Sequence, residues 1–304
     1  MQIIRYRDTD GRERVGLLTG AGTVRAFPEA GQRLCDLWTL RATELRALVS
    51  AVAARGEPAE AGPPWLAPID GESEVWAAGV TYKRSEEARR EESATPDIYA
   101  RVYKAERPEL FFKANPRRVA GPEAAIAIRS DSDWDVPEPE LTLVINSHAE
   151  IVGYTIGNDV SSRSIEGENP LYLPQAKVYA GSCALGPTIV PAWEIPDPYA
   201  LRIELTIERN GQICWQGRSS TADLRRRLED LVAYLFREDE FPAGVFLCSG
   251  TALVPERPFT LQAGDVVSIT IAGLGTLRNR VVRGRLALKA ASGDQSSRSS
   301  PKAR

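Results

Sequence analysis

The sequence predicts a β-dominated α+β protein with a small N-terminal β-rich domain and a larger body. Short runs of β-branched and aromatic residues, divided by turns that contain Gly, Asn or Asp, recur along most of the 304 residues. Helical periodicity is clear in only a few stretches. Residues 56–68 are rich in Pro, Gly, Ala and Glu, a composition typical of a linker. We therefore predict a small domain with its linker over 1–68, a larger body over 69–291 and a disordered tail over 292–304.

The small domain is expected to combine one antiparallel sheet with one helix. Short β-rich runs at 3–6, 15–18 and 24–27 are separated by Gly-containing turns. Apolar residues at helical spacing then predict a helix over 34–54.

The body is expected to consist mostly of strands. Its predicted strands lie near 75–80, 110–113, 125–128, 188–190, 201–208, 213–215, 245–248 and 266–271. An amphipathic helix is predicted over 221–236, with Thr221 as its N-cap. A highly charged helix is predicted over about 85–101, where the charge is typical either of a solvated face or of a lid over a pocket.

A hairpin over 138–160 contains the most informative pattern. Glu138 and Glu140 are two residues apart, so in a strand both carboxylates lie on one face. The turn at 146–149 would return the chain and bring Asp159 back to this pair. Three carboxylates repel one another unless a cation holds them, and an oxygen-only ligand set suits Mg²⁺, Mn²⁺ or Ca²⁺. The ordinary alternative is a Glu-x-Glu pair that faces water.

The composition gives no sign of a nucleic-acid or membrane partner. The 38 basic and 41 acidic residues leave a formal net charge of −3, without the basic footprint that nucleic acid requires. No apolar run is long enough to span a bilayer. The N-terminus lacks the pattern of a signal peptide, and four cysteines without CxxC spacing indicate reduced thiols in a cytoplasmic protein. The single histidine, His148, falls in a predicted turn, which argues against Ser-His-Asp and Cys-His mechanisms.

Several motifs, in order along the chain, resemble the fumarylacetoacetate hydrolase family over residues 75–290. They are Gly79-Val80-Thr81-Tyr82, Glu109-Leu110-Phe111-Phe112-Lys113, Pro137-Glu138-Pro139-Glu140-Leu141, the run from Gly153 to Arg163, Lys177 with Gly186-Pro187, and Ser249-Gly250-Thr251. The resemblance implies a barrel-like roll of mixed strands, a divalent metal that is usually Mg²⁺, and a homodimer or homotetramer. It also implies that Glu138, Glu140 and Asp159 bind the metal and that Lys177 points into the same pocket.

One departure from the family pattern bears on the reaction. The family's hydrolases and decarboxylases usually carry Gly-x-Asn-Tyr-x-x-His-x-x-Glu, whose His and Glu activate water. Here Ser85 and Ala88 occupy those two positions, which puts water-dependent C–C cleavage in doubt. The stretches 106–113, 131–134 and 166–179 are instead most similar to one branch of the family, the 2-keto-3-deoxy-D-arabinonate (equally xylonate) dehydratases.

This branch implies elimination of water from a 2-oxo acid. The carboxylate and ketone oxygens would chelate the metal, whose Lewis acidity stabilises the enolate left when a proton leaves C3. Loss of the C4 hydroxyl and tautomerisation then give the semialdehyde of 2-oxoglutarate. Lys177 and Glu109 are the candidate base and acid. Their ordinary alternatives are a surface lysine and a carboxylate paired with Arg107.

Three further residues are candidates for substrate binding. Ser85 and Arg89 lie on the predicted lid, and Thr251 lies in a Gly-containing turn. Two other functions stay open: a hydrolase or decarboxylase of acylpyruvate-type 2-oxo acids, and a non-catalytic member of the family.

Overall fold

The structure is a computed structural model that describes residues 1–20, 22–28, 33–84 and 101–298, with side chains described as far as residue 291. Almost all of the predicted lid over 85–101 lies outside the described residues. Within them, no helix combines the length and the hydropathy that a transmembrane span requires.

The described strands form two main sheets and one short pair. In chain order they are β1 (Gln2–Arg7), β2 (Glu13–Leu18), β3 (Val24–Ala26), β4 (Glu74–Gly79), β5 (Glu109–Ala114), β6 (Val119–Ala120), β7 (Ala125–Ile128), β8 (Asp135–Val136), β9 (Pro139–Ile145), β10 (Ile151–Asp159), β11 (Ser161–Ser162), β12 (Cys183–Pro191), β13 (Arg202–Arg209), β14 (Gln212–Ser220), β15 (Val245–Cys248), β16 (Val266–Ile271) and β17 (Gly275–Arg283). The α-helices whose bounds fall within the described residues are α1 (Leu34–Leu37), α2 (Ala42–Arg55), α3 (Arg163–Glu168), α4 (Leu173–Lys177), α5 (Leu228–Leu235) and α6 (Gly284–Arg298).

The larger sheet has the order β3-β2-β1-β12-β10-β9-β15-β4-β5, with β6 added beside β12. The second sheet has the order β14-β13-β16-β17-β7, and β11 pairs with β8. Most neighbours are antiparallel, as expected for strands joined by short turns. The pairs β15–β4, β12–β6 and β17–β7 are parallel. The prediction of a β-dominated α+β protein is confirmed.

The larger sheet is buried on both faces because side chains alternate between two cores. Leu143 of β9 packs in a core that contains the apolar face of β13 and helix α5. Its neighbour Val144 packs in the other core, which also contains Leu17, Trp38 and Leu45 of the N-terminal segment. The N-terminal strands thus extend the sheet of the body and share a core with it, and the division of the chain at residue 68 stays a prediction.

Several predicted boundaries were wrong for local reasons. The helix predicted over 34–54 is two helices, because Arg41 begins a new one with its backbone N–H bonded to Glu44. The helix predicted from Thr221 begins only after Arg227, because the Thr221 hydroxyl accepts a hydrogen bond from the Leu201 N–H instead of capping a helix.

At the C-terminal end, the prediction missed strand β17 entirely. Residue 292 was also predicted to begin a disordered tail, but helix α6 continues to Arg298. The residues beyond 298 lie outside the described part of the chain.

Candidate metal centre and active site

The hairpin of β9 and β10 brings Glu138, Glu140 and Asp159 together, as the sequence predicted. Glu140 lies opposite Gly157 in the antiparallel register, and the Asp159 N–H donates to the Glu138 carbonyl at 3.0 Å. The three residues each offer a carboxylate oxygen, and these oxygens lie within 4.8 Å of one another. A side chain at Gly157 would collide with the Thr142 hydroxyl, since an added Cβ would lie 2.3 Å from it.

The three carboxylates are buried, and for Glu140 this burial disfavours the negative charge. Their exposed fractions are 3%, 1% and 1%. Burial raises the pKa of Glu140 well above its ordinary value, and repulsion from Asp159 and Glu138 raises it further. A divalent cation would remove this repulsion, and an oxygen-only ligand set fits Mg²⁺. The residues present therefore fit the metal that the sequence implied.

Lys177 is a buried part of the same group of charges. It ends the short helix α4 and is only 1% exposed, so the surface-lysine alternative is wrong. Its Nζ donates to Glu138 Oε2 at 2.8 Å, to Asp159 Oδ2 at 2.9 Å and to Ser161 Oγ at 2.6 Å. The ammonium group therefore lies between two of the three carboxylates.

Two further buried cations contact the carboxylates, and the sequence reasoning gave neither a role. The Arg163 guanidinium is 2.9 Å from Glu138 Oε1 and 3.8 Å from Glu166 Oε2. Lys113, at the end of β5, forms an ion pair with Asp159. The sequence did contain a signal for Lys113, since a charged residue follows the apolar run Leu110–Phe112 directly.

Glu109 begins β5 and lies beside Gly79 of β4. Its carboxylate lies across the glycine, because a Cβ at Gly79 would be 2.1 Å from Glu109 Oε2. On the same strand, the Phe111 ring lies 5.9 Å from Lys177 Nζ. Residues two apart on a strand share a face, so Glu109 lies on the face of β5 that is turned toward Lys177.

Thr251 lies in the turn that contacts the third carboxylate. The Gly250 N–H donates to Glu140 Oε2 at 2.5 Å. The Thr251 hydroxyl is engaged within its own turn, since it bonds to the carbonyl and the N–H of Leu253 at 3.2 and 3.1 Å. Its role in substrate binding stays a prediction. The other two predicted substrate-binding residues, Ser85 and Arg89, lie outside the described residues.

Comparison with known proteins agrees with this geometry. The family model "Fumarylacetoacetate (FAA) hydrolase C-terminal" matches residues 74–282. The chain is 55% identical over 214 residues to a probable 2-keto-3-deoxyxylonate dehydratase of Haloferax volcanii, covering 70% of this chain and 73% of the relative. It is 48% identical over 222 residues to a 2-dehydro-3-deoxy-D-arabinonate dehydratase of Saccharolobus solfataricus, covering 72% and 74% of the two chains.

The same relationship holds for solved structures. A 2-keto-3-deoxy-D-arabinonate dehydratase complexed with magnesium and 2,5-dioxopentanoate is similar with a TM-score of 0.82 and 37% identity, over 94% of this chain and all of the other. The residues matched by the family model include the hairpin that carries the three carboxylates. The chain therefore belongs to the fumarylacetoacetate hydrolase family.

Proposed function

We propose that this protein is a Mg²⁺-dependent dehydratase that converts 2-keto-3-deoxy-D-arabinonate, equally 2-keto-3-deoxy-D-xylonate, into 2,5-dioxopentanoate. The observation that carries the proposal is the buried group of Glu138, Glu140 and Asp159, with the Lys177 ammonium in contact with two of them. The dehydratases to which the chain is 48–55% identical support the same conclusion.

The reaction is a loss of water followed by a shift of a proton. A proton leaves C3 and the hydroxyl leaves C4, which gives an unsaturated 2-oxo acid. A proton then leaves C5 and another is added at C3, and the resulting enol becomes the C5 aldehyde. The reaction therefore needs a base near C3 and a proton donor near C4.

The residues of the site divide these tasks. Mg²⁺ held by the three carboxylates would supply Lewis acidity toward the 2-oxo acid. In its neutral form, Lys177 Nζ is the candidate to accept the C3 proton, and its contact with Ser161 Oγ at 2.6 Å fixes where the amine lies. Glu109 is the candidate to protonate the leaving hydroxyl, since its carboxylate lies on the same face of β5 as Phe111, which contacts Lys177.

A hydrolase that activates water by the family's His and Glu is a weaker alternative for this chain. Ser85 and Ala88 stand at those positions. The single histidine, His148, is exposed in the turn after β9, where its Nε2 lies 3.2 Å from the Thr39 carbonyl. It cannot replace a base at the carboxylates.

The test is to incubate the protein with 2-keto-3-deoxy-D-arabinonate in Mg²⁺ and in EDTA and to follow the aldehyde by proton NMR. We expect 2,5-dioxopentanoate only with Mg²⁺, and its formation should return when Mg²⁺ is added back to the chelated protein. Parallel incubations with acetylpyruvate and oxaloacetate test cleavage and decarboxylation. Release of pyruvate in those incubations, with no aldehyde from the sugar acid, would overturn the proposal.

Assembly and location follow from the same proposal. We propose a homodimer or homotetramer, as the family resemblance implies, and sedimentation velocity would test it. We also propose a cytoplasmic location, in keeping with four cysteines that are all free in the structure.

A further inference from the structure

Lys113 occupies an irregularity in β5, directly behind the candidate active site. Strand β5 pairs with β4 so that Ala114 lies opposite Val75, whereas Phe112 lies opposite the next residue, Trp76. Lys113 is therefore the extra residue of a β-bulge, a feature that often redirects a side chain beside a functional site. Its side chain is fully buried.

The Lys113 ammonium joins two parts of the site that are far apart in sequence. It forms an ion pair with the Asp159 carboxylate. It also donates to the Lys177 carbonyl at 2.5 Å and to the Val160 carbonyl at 3.2 Å. An ammonium group has three N–H donors, and here each has one acceptor. One side chain thus contacts a predicted metal ligand and the main chain of the predicted base.

We propose that Lys113 is a positioning residue that fixes the distance between the Asp159 carboxylate and the end of α4, and so places the Lys177 amine for proton transfer. This inference rests on the proposed function, because Lys177 is assigned there as the base. It is separate from the metal-ligand assignment, since Lys113 is a cation and cannot bind Mg²⁺.

A purely structural role explains Lys113 less well. Burying a charge is costly even when it is paired, and an apolar side chain of similar length would fill the same space at lower cost. The Lys177 carbonyl also has a second donor, because the Ser182 hydroxyl donates to it at 2.8 Å. Ser182 contacts the Lys177 carbonyl but forms no bond to Asp159, whereas Lys113 contacts both the Lys177 carbonyl and the Asp159 carboxylate.

The test compares Lys113→Met with the unchanged protein by kinetics and by Mg²⁺ titration calorimetry. Met has nearly the same length and no charge. We expect kcat to fall about 100-fold, because small misplacements of a catalytic group have effects of this size, while KM changes little. Mg²⁺ binding should tighten by about threefold or more, because a positive charge beside Asp159 has been removed. Thr155→Val is the matched control, because it removes a buried hydroxyl that donates to the Gly186 and Thr188 carbonyls and contacts neither the carboxylates nor Lys177. The kcat of this variant should equal that of the unchanged protein.

Each outcome decides the inference. Unchanged kcat in Lys113→Met, or a loss of Mg²⁺ binding in parallel with kcat, would overturn it. If Lys113→Met does not fold, Lys113→Arg decides instead, because it keeps the positive charge beside Asp159 but holds it on a longer, planar group. That variant should lower kcat about threefold to tenfold with normal Mg²⁺ affinity, and unchanged kcat would overturn the inference.

The inference can also be separated from the proposed function. Mg²⁺ affinity is measured without substrate. If the unchanged protein does not dehydrate the sugar acid but Lys113→Met binds Mg²⁺ more tightly, the proposed function fails while the electrostatic link of Lys113 to Asp159 holds. If the unchanged protein is active and Lys113→Met is equally active, the proposed function holds and the positioning role fails.

Discussion

Replacing Glu140 with Gln should separate the two properties of the carboxylate group, its metal affinity and its internal repulsion. Gln has almost the same volume, and its side-chain oxygen can still accept the 2.5 Å hydrogen bond from the Gly250 N–H. The substitution therefore removes a charge and leaves the shape of the site. We expect the metal-free variant to be more stable than the unchanged protein, and the variant to have lost its affinity for Mg²⁺.

The stability gain follows from the distances. Two like charges no more than 4.8 Å apart repel by about 3 kcal/mol or more at an effective dielectric constant of ~20. The Lys177 ammonium offsets part of this repulsion, which leaves a gain on the order of 1–3 kcal/mol and a Tm higher by several degrees. The stability gain of the variant should grow with pH. The pKa of Glu140 in the folded protein is raised above its ordinary value of 4.5, so the unchanged protein loses stability as the pH of the solution rises above 4.5. The variant has no proton to lose there.

Mg²⁺ should have the opposite effect on the comparison, because it stabilises the unchanged protein more than the variant. At a Mg²⁺ concentration 100 times the dissociation constant, the unchanged protein gains about 2.7 kcal/mol. If loss of one ligand weakens binding about 100-fold, the variant gains only about 0.4 kcal/mol at the same concentration. Thermal unfolding in EDTA and in Mg²⁺ measures both effects, with titration calorimetry for the affinity. Glu204→Gln, at a partly exposed ion pair on β13, is the matched control and should change neither the Tm in EDTA nor the Mg²⁺ affinity. An equal Mg²⁺-dependent rise in Tm in Glu140→Gln, or a lower Tm in EDTA, would refute the reasoning.

Three further substitutions give independent tests. Lys177→Met should lower kcat about 1,000-fold or more, while calorimetry shows Mg²⁺ affinity intact or tighter, because the ammonium competes with the metal for two carboxylates; weaker binding would contradict this. Gly79→Ala should lower kcat about tenfold or more with a normal circular dichroism spectrum, since the new Cβ would lie 2.1 Å from Glu109 Oε2; Gly20→Ala, which meets nothing within 4 Å, is the control. Asp135→Asn should be more stable than the unchanged protein above about pH 6, by on the order of 2 kcal/mol in urea unfolding. Burial raises the pKa of Asp135 to about 6. The stability that the Asp135 carboxyl contributes below its ordinary pKa is therefore lost as the pH rises through 6. A difference that does not change between pH 4 and 8 would contradict that account.

The hairpin shows what local pattern alone can predict. A period of two places Glu138 and Glu140 on one face, and the turn after Ile145 fixes the register that returns Asp159 to them. All of the information lies within 22 residues of sequence. The same rule could have found β17, where Leu277, Asn279 and Val281 are buried in alternation with exposed residues.

The buried ion pairs show what local pattern cannot predict. Lys113 reaches acceptors 47 and 64 residues away, and Lys177 reaches Glu138 across 39 residues. No periodicity links these positions, so only the family resemblance directed attention to Lys177. The prediction of Thr221 as an N-cap was wrong for a related reason, because its hydroxyl accepts a hydrogen bond from the N–H of Leu201, 20 residues earlier in the chain. Side chains that bind distant partners escape propensity rules, and active sites depend on such contacts.

The balance of buried charge explains why the metal and the substrate belong together at this site. Seven side chains that are joined by ion pairs or belong to the carboxylate group are at most 3% exposed: the acidic Glu138, Glu140, Asp159 and Glu166, and the basic Lys113, Arg163 and Lys177. With all seven ionised, these side chains carry one excess negative charge, and burial makes such an excess costly. A divalent cation alone would turn it into one excess positive charge, and a singly charged 2-oxo acid alone would make it more negative. Together they bring the sum to zero, so the binding of the cation favours the binding of the 2-oxo acid, and the reverse is also true. A monoanionic sugar acid should therefore bind far better with Mg²⁺ than without it, and better than a dicarboxylate of similar size.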